Sequence, residues 1–255
     1  MKKIFSIIAV CAMTVAANAQ IVSSSSRGLV AEEFPNYSRI FVSYSPMTFS
    51  GNASKGEDNP FNETAGGVTL GWLGGWSVSK TMPLYIEGGL NIKYNHWSDE
   101  FTDGEGDSDS YYSYSEKYKS SMTFLSLNVP INISYNYSIP GVDGLSIAPY
   151  IGLHLTGNII GSCKYEWEWE SYRNGKLSDS DSGDSDYSFF DEDDMKEFSD
   201  GYSDDTASRL QIGWQIGVGI NYKKLYLGVG YSSEFTEYMK KLNTGGLTLT
   251  LGLNL

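Results

Sequence analysis

Residues 247–255 read LTLTLGLNL and end the chain. Every second residue from Leu247 to Leu255 is a leucine, and the positions between them hold only threonine, glycine and asparagine. Because successive side chains of a β-strand point to opposite faces, this alternation predicts a strand with one apolar and one small polar face. Since neither face carries a charge, the strand suits a membrane barrel whose apolar face meets lipid. Closure against a first strand near residues 39–44 would satisfy its backbone.

The same alternation occurs in seven earlier segments, so we predict an all-β fold of about eight strands. The polar faces hold mainly Gly, Ser, Thr, Asn and Gln, which fits the interior of a narrow barrel better than the outer face of a soluble sandwich. Pro130 cannot donate a ladder hydrogen bond, which predicts a bulge at that position. The segments are RIFVSY (39–44), VTLGWLGGW (68–76), LYIEGGLNIKYNHW (84–97), FLSLNVPINISY (124–135), LSIAPYIGLHL (145–155), RLQIGWQIGVGINY (209–222) and LYLGVGY (225–231).

The connections alternate between long and short, which predicts a closed antiparallel up-and-down transmembrane β-barrel with short periplasmic turns and long extracellular loops. Two of the long connections, 98–118 and 161–206, hold most of the negative charge of a chain whose net charge is −13. The stretch KLSDSDSGDSDYS within the second is of low complexity, so we expect it to be mobile. The predicted connections are residues 46–65, 78–82, 98–118, 138–144, 161–206, 223–224 and 234–245.

The N-terminus predicts export. Lys2 and Lys3 precede an apolar stretch, and Ala17-Asn18-Ala19 follows as a cleavage site. This pattern is typical of a signal peptide. We therefore predict a cleaved signal peptide at 1–19, a short lead segment at 20–36 and a barrel domain at 37–255. The mature chain would lie in the outer membrane of a Gram-negative bacterium.

Leu127, Val129, Pro130 and Ile131, followed by Pro149, Tyr150 and Gly152, resemble the strand motifs of the porT-type outer-membrane β-barrel domain family. The resemblance covers nearly all of the mature chain and implies an outer-membrane barrel of about this strand number, with no assigned activity. The chain differs in its last residue, Leu255, since such barrels usually end in an aromatic residue that the barrel-assembly machinery recognises.

His96 and Ser98 are the candidate catalytic pair. Their spacing of two places both side chains on the lipid face of a strand. A histidine that polarises a serine there could deacylate lipid A, and the pair resembles the H-x-S motif of the lipid A deacylase barrels. That motif lies near the C-terminal end of those barrels, whereas this pair lies in the third segment. The alternative is a histidine beside Trp97 in the interfacial aromatic girdle, and we favour it.

Four charged residues, Arg39, Glu87, Lys93 and Arg209, fall on the inward-facing positions of their segments. They could line a small pore. In a barrel this narrow, side chains normally fill the lumen, so we favour an ion-pair network that plugs it.

The stretch YEWEWESY at 165–172 interleaves aromatic and acidic residues. Trp167, Trp169 and Tyr172 are candidate contacts for an extracellular protein or glycan if the barrel wall continues above the membrane. They could equally belong to the interfacial girdle. The acidic loops do not match the spacing of a calcium loop, so we predict no metal site and no cofactor.

These observations favour a non-enzymatic outer-membrane protein that displays acidic loops, with a structural or surface-binding role. A lipid-modifying enzyme and a small pore are the alternatives. The expected partners are outer-membrane lipid, the barrel-assembly machinery and an extracellular ligand. Nucleic acid is excluded because the negative charge would repel it.

Overall fold

The structure is a computed structural model, and it describes residues 34–51, 60–80, 82–105, 112–199 and 205–255. The predicted signal peptide and most of the lead segment lie outside these ranges. Within them, no helix has the length and apolar composition needed to cross a membrane. The elements are β1 (Tyr37–Tyr44), β2 (Met47–Ser50), a 3-10 turn (Pro60–Asn62), β3 (Thr64–Ser77), β4 (Leu84–Glu105), β5 (Tyr112–Tyr135), β6 (Tyr137–Ser138), β7 (Leu145–Arg173), β8 (Lys176–Ser188), α1 (Glu192–Phe198), β9 (Leu210–Tyr222), β10 (Leu225–Glu234) and β11 (Asn243–Asn254).

Eight of the strands form a closed antiparallel ring in the order β1-β11-β10-β9-β7-β5-β4-β3, and β3 returns to β1. At the closure, Val42 of β1 pairs with Leu251 of β11 on one side and with Leu70 of β3 on the other. The terminal leucine strip is therefore the last strand of the barrel, and it closes against the segment that the sequence indicated. The predicted fold class is confirmed.

The outer surface of the ring is an apolar belt made of the outward-facing side chains of all eight strands. Such a large exposed apolar area is unfavourable in water and is typical of a barrel surface in contact with hydrocarbon. The clearest members, all exposed, are Ile40, Val42, Val68, Leu70, Ile86, Ile92, Ile131, Ile133, Ile151, Leu153, Leu155, Ile212, Ile216, Ile220, Leu227, Val229, Leu247, Leu249, Leu251 and Leu253.

Four strands continue beyond the belt at one rim. We call this extension the blade: residues 98–105 of β4, 112–121 of β5, 162–173 of β7 and all of β8. The blade corrects the prediction that 98–118 and 161–206 are loops. In particular, the supposedly mobile KLSDSDSGDSDYS is β8, because its backbone groups pair with β7 along its length. Asn174 and Gly175, both with positive φ, form the two-residue turn that brings β8 back onto β7.

A β-bulge marks the boundary between barrel and blade. Leu125 pairs with Ile160 while the next residue, Ser126, pairs with Asn158, so Ile159 is the extra residue. Below it the odd-numbered residues of β7 face outward, and above it the even-numbered residues do. Pro130 causes no such shift: the β4–β5 register is unchanged across it, although two cross-strand pairs are missing there. The bulge predicted at Pro130 is therefore wrong.

The rim that carries the blade is closed by an apolar cluster, which we call the mouth cap. Phe189 at its centre is fully buried, and its backbone N–H donates to the Gly161 carbonyl at 2.8 Å. Helix α1 contributes Met195, and Asp191 caps the helix by accepting from the backbone N–H groups of Asp193 and Asp194. The cluster consists of Met47, Phe61, Ala65, Met122, Phe124, Cys163, Phe189, Met195, Ala207, Tyr238 and Leu242.

Candidate functional site

The lumen contains two polar layers below the mouth cap. In the layer farther from the cap, the Arg39 guanidinium donates to Asn254 at 2.9 Å and to Asn221 at 3.2 Å. It also lies 3.4 Å from the ring centroid of Tyr226, at cation–π distance. Glu87 accepts from Asn132 at 3.1 Å and from the Tyr37 hydroxyl. These groups are buried, so each charge is held by hydrogen bonds rather than by water.

The second layer lies nearer the cap and is built around His154 and Glu234. His154 Nε2 is 2.9 Å from Glu234 Oε1, and the Thr156 hydroxyl donates to the same oxygen at 3.1 Å. His154 Nδ1 and Glu234 Oε2 are buried without a hydrogen-bond partner among the described residues. A cavity of about 150 Å³ runs along both layers, and Lys93 lines it.

The structure brings only some of the predicted lumen charges together. Arg39 and Glu87 share the first layer, while Lys93 lies beside the second. Arg209 lies in neither, which departs from the prediction. Its side chain is exposed, with the guanidinium 4.2 Å from the ring centroid of Phe190. Arg209 precedes β9, so the alternation of that strand does not fix its direction.

His96 and Ser98 lie on the outer face of β4, as their spacing predicts. The His96 Nδ1 contact is with the Thr123 hydroxyl of β5 at 3.2 Å, and its ring stacks on Tyr94 with centroids 6.4 Å apart. The histidine is thus oriented by a neighbouring strand and by an adjacent aromatic ring. Trp97, the predicted girdle neighbour of His96, points to the opposite face and packs against the mouth cap, so the prediction of a His–Trp pair in the girdle is wrong. Tyr94 is the aromatic residue that accompanies His96 on the outer face.

The outer face of the blade, continuous with the apolar belt, carries alternating charges that form ion pairs. Lys117 lies 2.9 Å from Glu100, and Lys119 lies 3.4 Å from Glu166. Lys164 joins the second pair at 2.7 Å, and it also lies 3.7 Å from Asp184. The Lys164 hydrogen bond, helped by the charge of Lys119, holds the pKa of the Glu166 carboxyl below its usual value. Three acidic residues of this face, Glu100, Glu166 and Asp184, are therefore paired with lysines.

The inner face of the blade, continuous with the lumen, carries aromatic side chains. Trp167 and Trp169 both lie on this face, while Tyr172 lies on the outer face, where its hydroxyl donates to Glu170 at 2.5 Å. The three candidate contacts are therefore split between two surfaces. Trp167 lies over Gly183 of β8, so closely that a Cβ at Gly183 would be 2.7 Å from its indole nitrogen.

The base of the inner face is covered by α1. Phe198 packs on Tyr165 and Tyr187, with ring centroids 6.0 and 5.7 Å apart. Burial raises the pKa of Tyr165 to about 12 and also raises the pKa of the Cys163 thiol above its ordinary value. The inner face therefore changes, two residues above Tyr165, from a packed surface to an exposed one.

In the part of the chain that the structure describes, no group of three or more His, Cys, Asp or Glu side chains could hold a metal ion. The described acidic residues of the blade are spread along its strands instead of converging on one point.

No family model matches the chain, and no curated protein matches it. The resemblance to the porT-type family therefore stays a prediction. Among solved structures, Ail, the attachment invasion locus protein of Yersinia pestis, is 11% identical over 87% of this chain and 100% of its own, with a TM-score of 0.37. Neisserial surface protein A is 11% identical over 86% and 96%, with a TM-score of 0.36. The N-terminal β-barrel domain of Pseudomonas aeruginosa OprF is 10% identical over 87% and 100%, with a TM-score of 0.27. The fold assignment rests on the strand pairing of the chain itself.

Proposed function

We propose that this protein is a non-enzymatic outer-membrane β-barrel that holds the blade outside the cell as a binding surface. The observation that carries the proposal is the length of two strands. β5 has 24 residues and β7 has 29, whereas a tilted strand needs only about 9–11 residues to cross a bilayer. Residues 162–173 of β7 therefore continue beyond the apolar belt, where its outer face changes from leucine and isoleucine to lysine and glutamate.

The sorting of the connections supports an extracellular blade. The connections at the opposite rim are short, such as Lys223–Lys224 between β9 and β10, while the two longest connections between neighbouring strands of the ring, 45–63 and 174–209, leave from the rim that carries the blade. Outer-membrane barrels have short periplasmic turns and longer extracellular segments. On this basis the mouth cap faces the outside of the cell.

The mouth cap and the lumen layers support a plugged barrel and argue against the pore alternative. A path for ions would have to pass both the apolar cluster around Phe189 and the hydrogen-bonded layers below it. We expect no single-channel steps when the refolded protein is reconstituted in a planar bilayer. Regular steps would favour the pore.

We propose a non-enzymatic protein in which His96 is an outward-facing residue that contacts Thr123 and Tyr94. The lipid A alternative has a direct test. His96→Ala should leave the acyl chains of lipid A unchanged in mass spectra of cells that express the protein. A change in acylation that depends on His96 would favour the enzyme instead.

Cysteine labelling of intact cells tests the topology. Ser180→Cys places a thiol on the exposed strand β8, and Asp143→Cys places one in the exposed turn before β7 at the opposite rim. We expect a membrane-impermeant maleimide to label Ser180→Cys in intact cells, and to label Asp143→Cys only after permeabilisation. The unmodified protein is the background control, because Cys163 is fully buried.

Labelling of Asp143→Cys but not Ser180→Cys in intact cells would place the blade in the periplasm. That result would overturn surface binding while leaving the barrel fold intact. Labelling of neither variant before lysis would overturn the outer-membrane location.

A further inference from the structure

We infer that the inner face of the blade binds an extended, cationic segment of another polypeptide. An aromatic row would hold its arginine or lysine side chains, and an adjacent row of carboxylates would neutralise them. The inference rests on the proposed function only in that the blade must be exposed to a partner. The surface itself is defined by its side chains.

The aromatic row runs straight across the blade. Phe101 of β4 pairs with Tyr118 of β5, which pairs with Trp167 of β7. The three side chains are 60%, 49% and 40% exposed, so no described part of the chain covers them as α1 covers Tyr165 below. The row ends at Gly183, which leaves room for the indole of Trp167 to lie flat on the strand. Flat exposed rings of this kind attract guanidinium and ammonium groups.

The carboxylate row lies two residues farther from the membrane on the same strands. Asp103 pairs with Glu116, Glu116 with Trp169, and Trp169 with Asp181. Each carboxylate uses one oxygen locally: Asp103 and Asp181 accept from the next backbone N–H, and Glu116 accepts from the Tyr118 hydroxyl. None of the three takes part in an ion pair among the described residues, in contrast to the outer face.

The carboxylates beside the aromatic row, which take part in no ion pair among the described residues, select the class of partner. Among its described side chains, Asp99, Asp103, Glu116, Asp179 and Asp181 are acidic, and basic residues occur only at the hairpin tip, as Arg173 and Lys176. A neutral glycan would stack on the aromatic row but leave these carboxylates uncompensated. An anionic chain would be repelled. A cationic polypeptide satisfies both rows.

The spacing of the two rows fits an extended chain. Residues two apart on a strand are separated by roughly 6.6 Å, and alternate side chains of an extended peptide have the same separation. A peptide lying along β5 and β7 would place one basic side chain over the aromatic row and the next, two residues on, between the carboxylates.

The test uses full-length protein in nanodiscs of zwitterionic phospholipid, with a fluorescein-labelled (Arg-Thr)5 peptide as the probe. We expect saturable binding by fluorescence anisotropy that weakens when the salt concentration rises from 50 to 200 mM. Trp167→Ala should weaken binding about tenfold, in line with the loss of a desolvated cation–π contact. Trp167→Phe should retain most of it.

The matched comparison removes two charges from each face in turn. Asp103→Asn combined with Asp181→Asn should weaken binding of the probe at least tenfold. Glu168→Gln combined with Asp186→Asn, on the outer face, should change the affinity less than twofold. All variants must keep Cys163 unreactive to maleimide in folded protein, which shows that the base of the blade is intact. Equal losses from the two faces would mean non-specific charge attraction and would overturn the inference.

A peptide with citrulline in place of arginine supplies the second control, because it keeps the shape and removes the charge. Equal binding of the two peptides, or no saturable binding of the arginine peptide, would overturn the inference. Preferential binding of a neutral oligosaccharide at Trp167 would overturn it as well. Because the assay uses purified protein, its failure is distinct from the failure of the labelling test: each can give a negative result while the other is positive.

Discussion

The lower and upper halves of β7 show the same alternation with opposite chemistry. Below Ile159 the outward residues are apolar, as at Leu153 and Leu155, and the inward residues are polar, as at His154. Above it the outward residues are Lys164 and the glutamates that follow, and the inward residues are aromatic. The strand is continuous, yet its two halves are matched to different solvents.

A single strand can serve two environments when its side-chain pattern changes where the environment changes. In the barrel, the outward residues are apolar and the polar groups collect in the lumen, which is the pattern of a barrel that has a low-dielectric medium outside it. In the blade, water lies on the outer face, so charges collect there, and the inward aromatic residues pack under α1 at the base. The bulge at Ile159 aligns the second pattern with the first.

Deletion of Ile159 is expected to change the difference between the two halves of β7 more than any other change. Without the extra residue, every side chain of β7 above this point changes face, so Cys163 and Tyr165 leave the mouth cap for the outer surface. We expect Cys163 to change from unreactive to fully labelled by maleimide in folded protein. Ile159→Ala, which keeps the residue count, should leave it unreactive. Continued protection of Cys163 after the deletion would mean that the bulge does not set the orientation.

The next largest effect concerns the mouth cap. Phe189→Ala removes a fully buried ring that contacts Phe61, Phe124 and Phe198, so the free energy of unfolding should fall by about 3–5 kcal/mol. Urea unfolding in detergent micelles, followed by tryptophan fluorescence, measures it. Phe101→Ala is the matched control, because the same residue type on the blade is 60% exposed and should change stability by only about 0.5 kcal/mol. Equal losses would contradict a packed cap.

A charge placed in the apolar belt tests whether the lower half of β7 meets hydrocarbon. Leu153→Arg puts a cation on the apolar belt, where it should cost about 2–4 kcal/mol near the bilayer centre. Refolding into lipid vesicles measures the loss. Glu168→Arg, on the outer face of the blade, introduces the same side chain in water and should change stability little. A small loss at Leu153 would show that this part of the wall does not meet hydrocarbon.

The smallest effect is expected on the outer face of the blade. Lys164→Ala removes the strongest hydrogen bond to Glu166, so the pKa of that carboxyl should rise toward its ordinary value. Because the folded-state pKa lies below the unfolded one, the pair stabilises the fold above the unfolded pKa, and its contribution is lost as pH falls through the folded pKa. An NMR titration of labelled glutamate side chains measures the shift. An unchanged pKa would mean that Lys119 and not Lys164 sets it.

The barrel could be predicted from the sequence because each of its strands must keep its outward face apolar and its lumen face polar. That requirement produces strict alternation, as in the terminal strip that ends at Leu255 and pairs with β1. Alternation is less strict in the blade, because both polar and aromatic side chains can lie on a surface that meets water. Its strands are held by pairing with their neighbours, and that pairing is a property of the assembled sheet.

One signal for the blade was present in the sequence. Asn174-Gly175 is the dipeptide that most strongly indicates a two-residue hairpin turn, and it predicts that β8 folds back along β7. The low-complexity composition of β8 concealed it.

The candidate site could be predicted only in part, because the bulge sets which face of the blade its aromatic residues occupy. Nothing in the residues around Ile159 identifies an extra residue, yet its presence decides whether Trp167 and Trp169 lie on the outer or the inner face of the blade. The direction of Arg209 was predicted wrongly, and the mouth cap was not predicted, for a related reason. Both depend on how the long connections fold over the rim, and alternation says nothing about a segment once it has left the strand.

The bulge at Ile159 also divides the chain into two modules for evolution and for protein engineering. Below it, the apolar surroundings that we propose for the belt decide which substitutions are tolerated. Above it, water and the partner of the blade decide. A new hairpin grafted above this residue would inherit the orientation of the present one, provided that the graft begins after the extra residue. Insertion or deletion of one codon at this position is enough to exchange the two faces of everything beyond it, while the barrel below keeps its register.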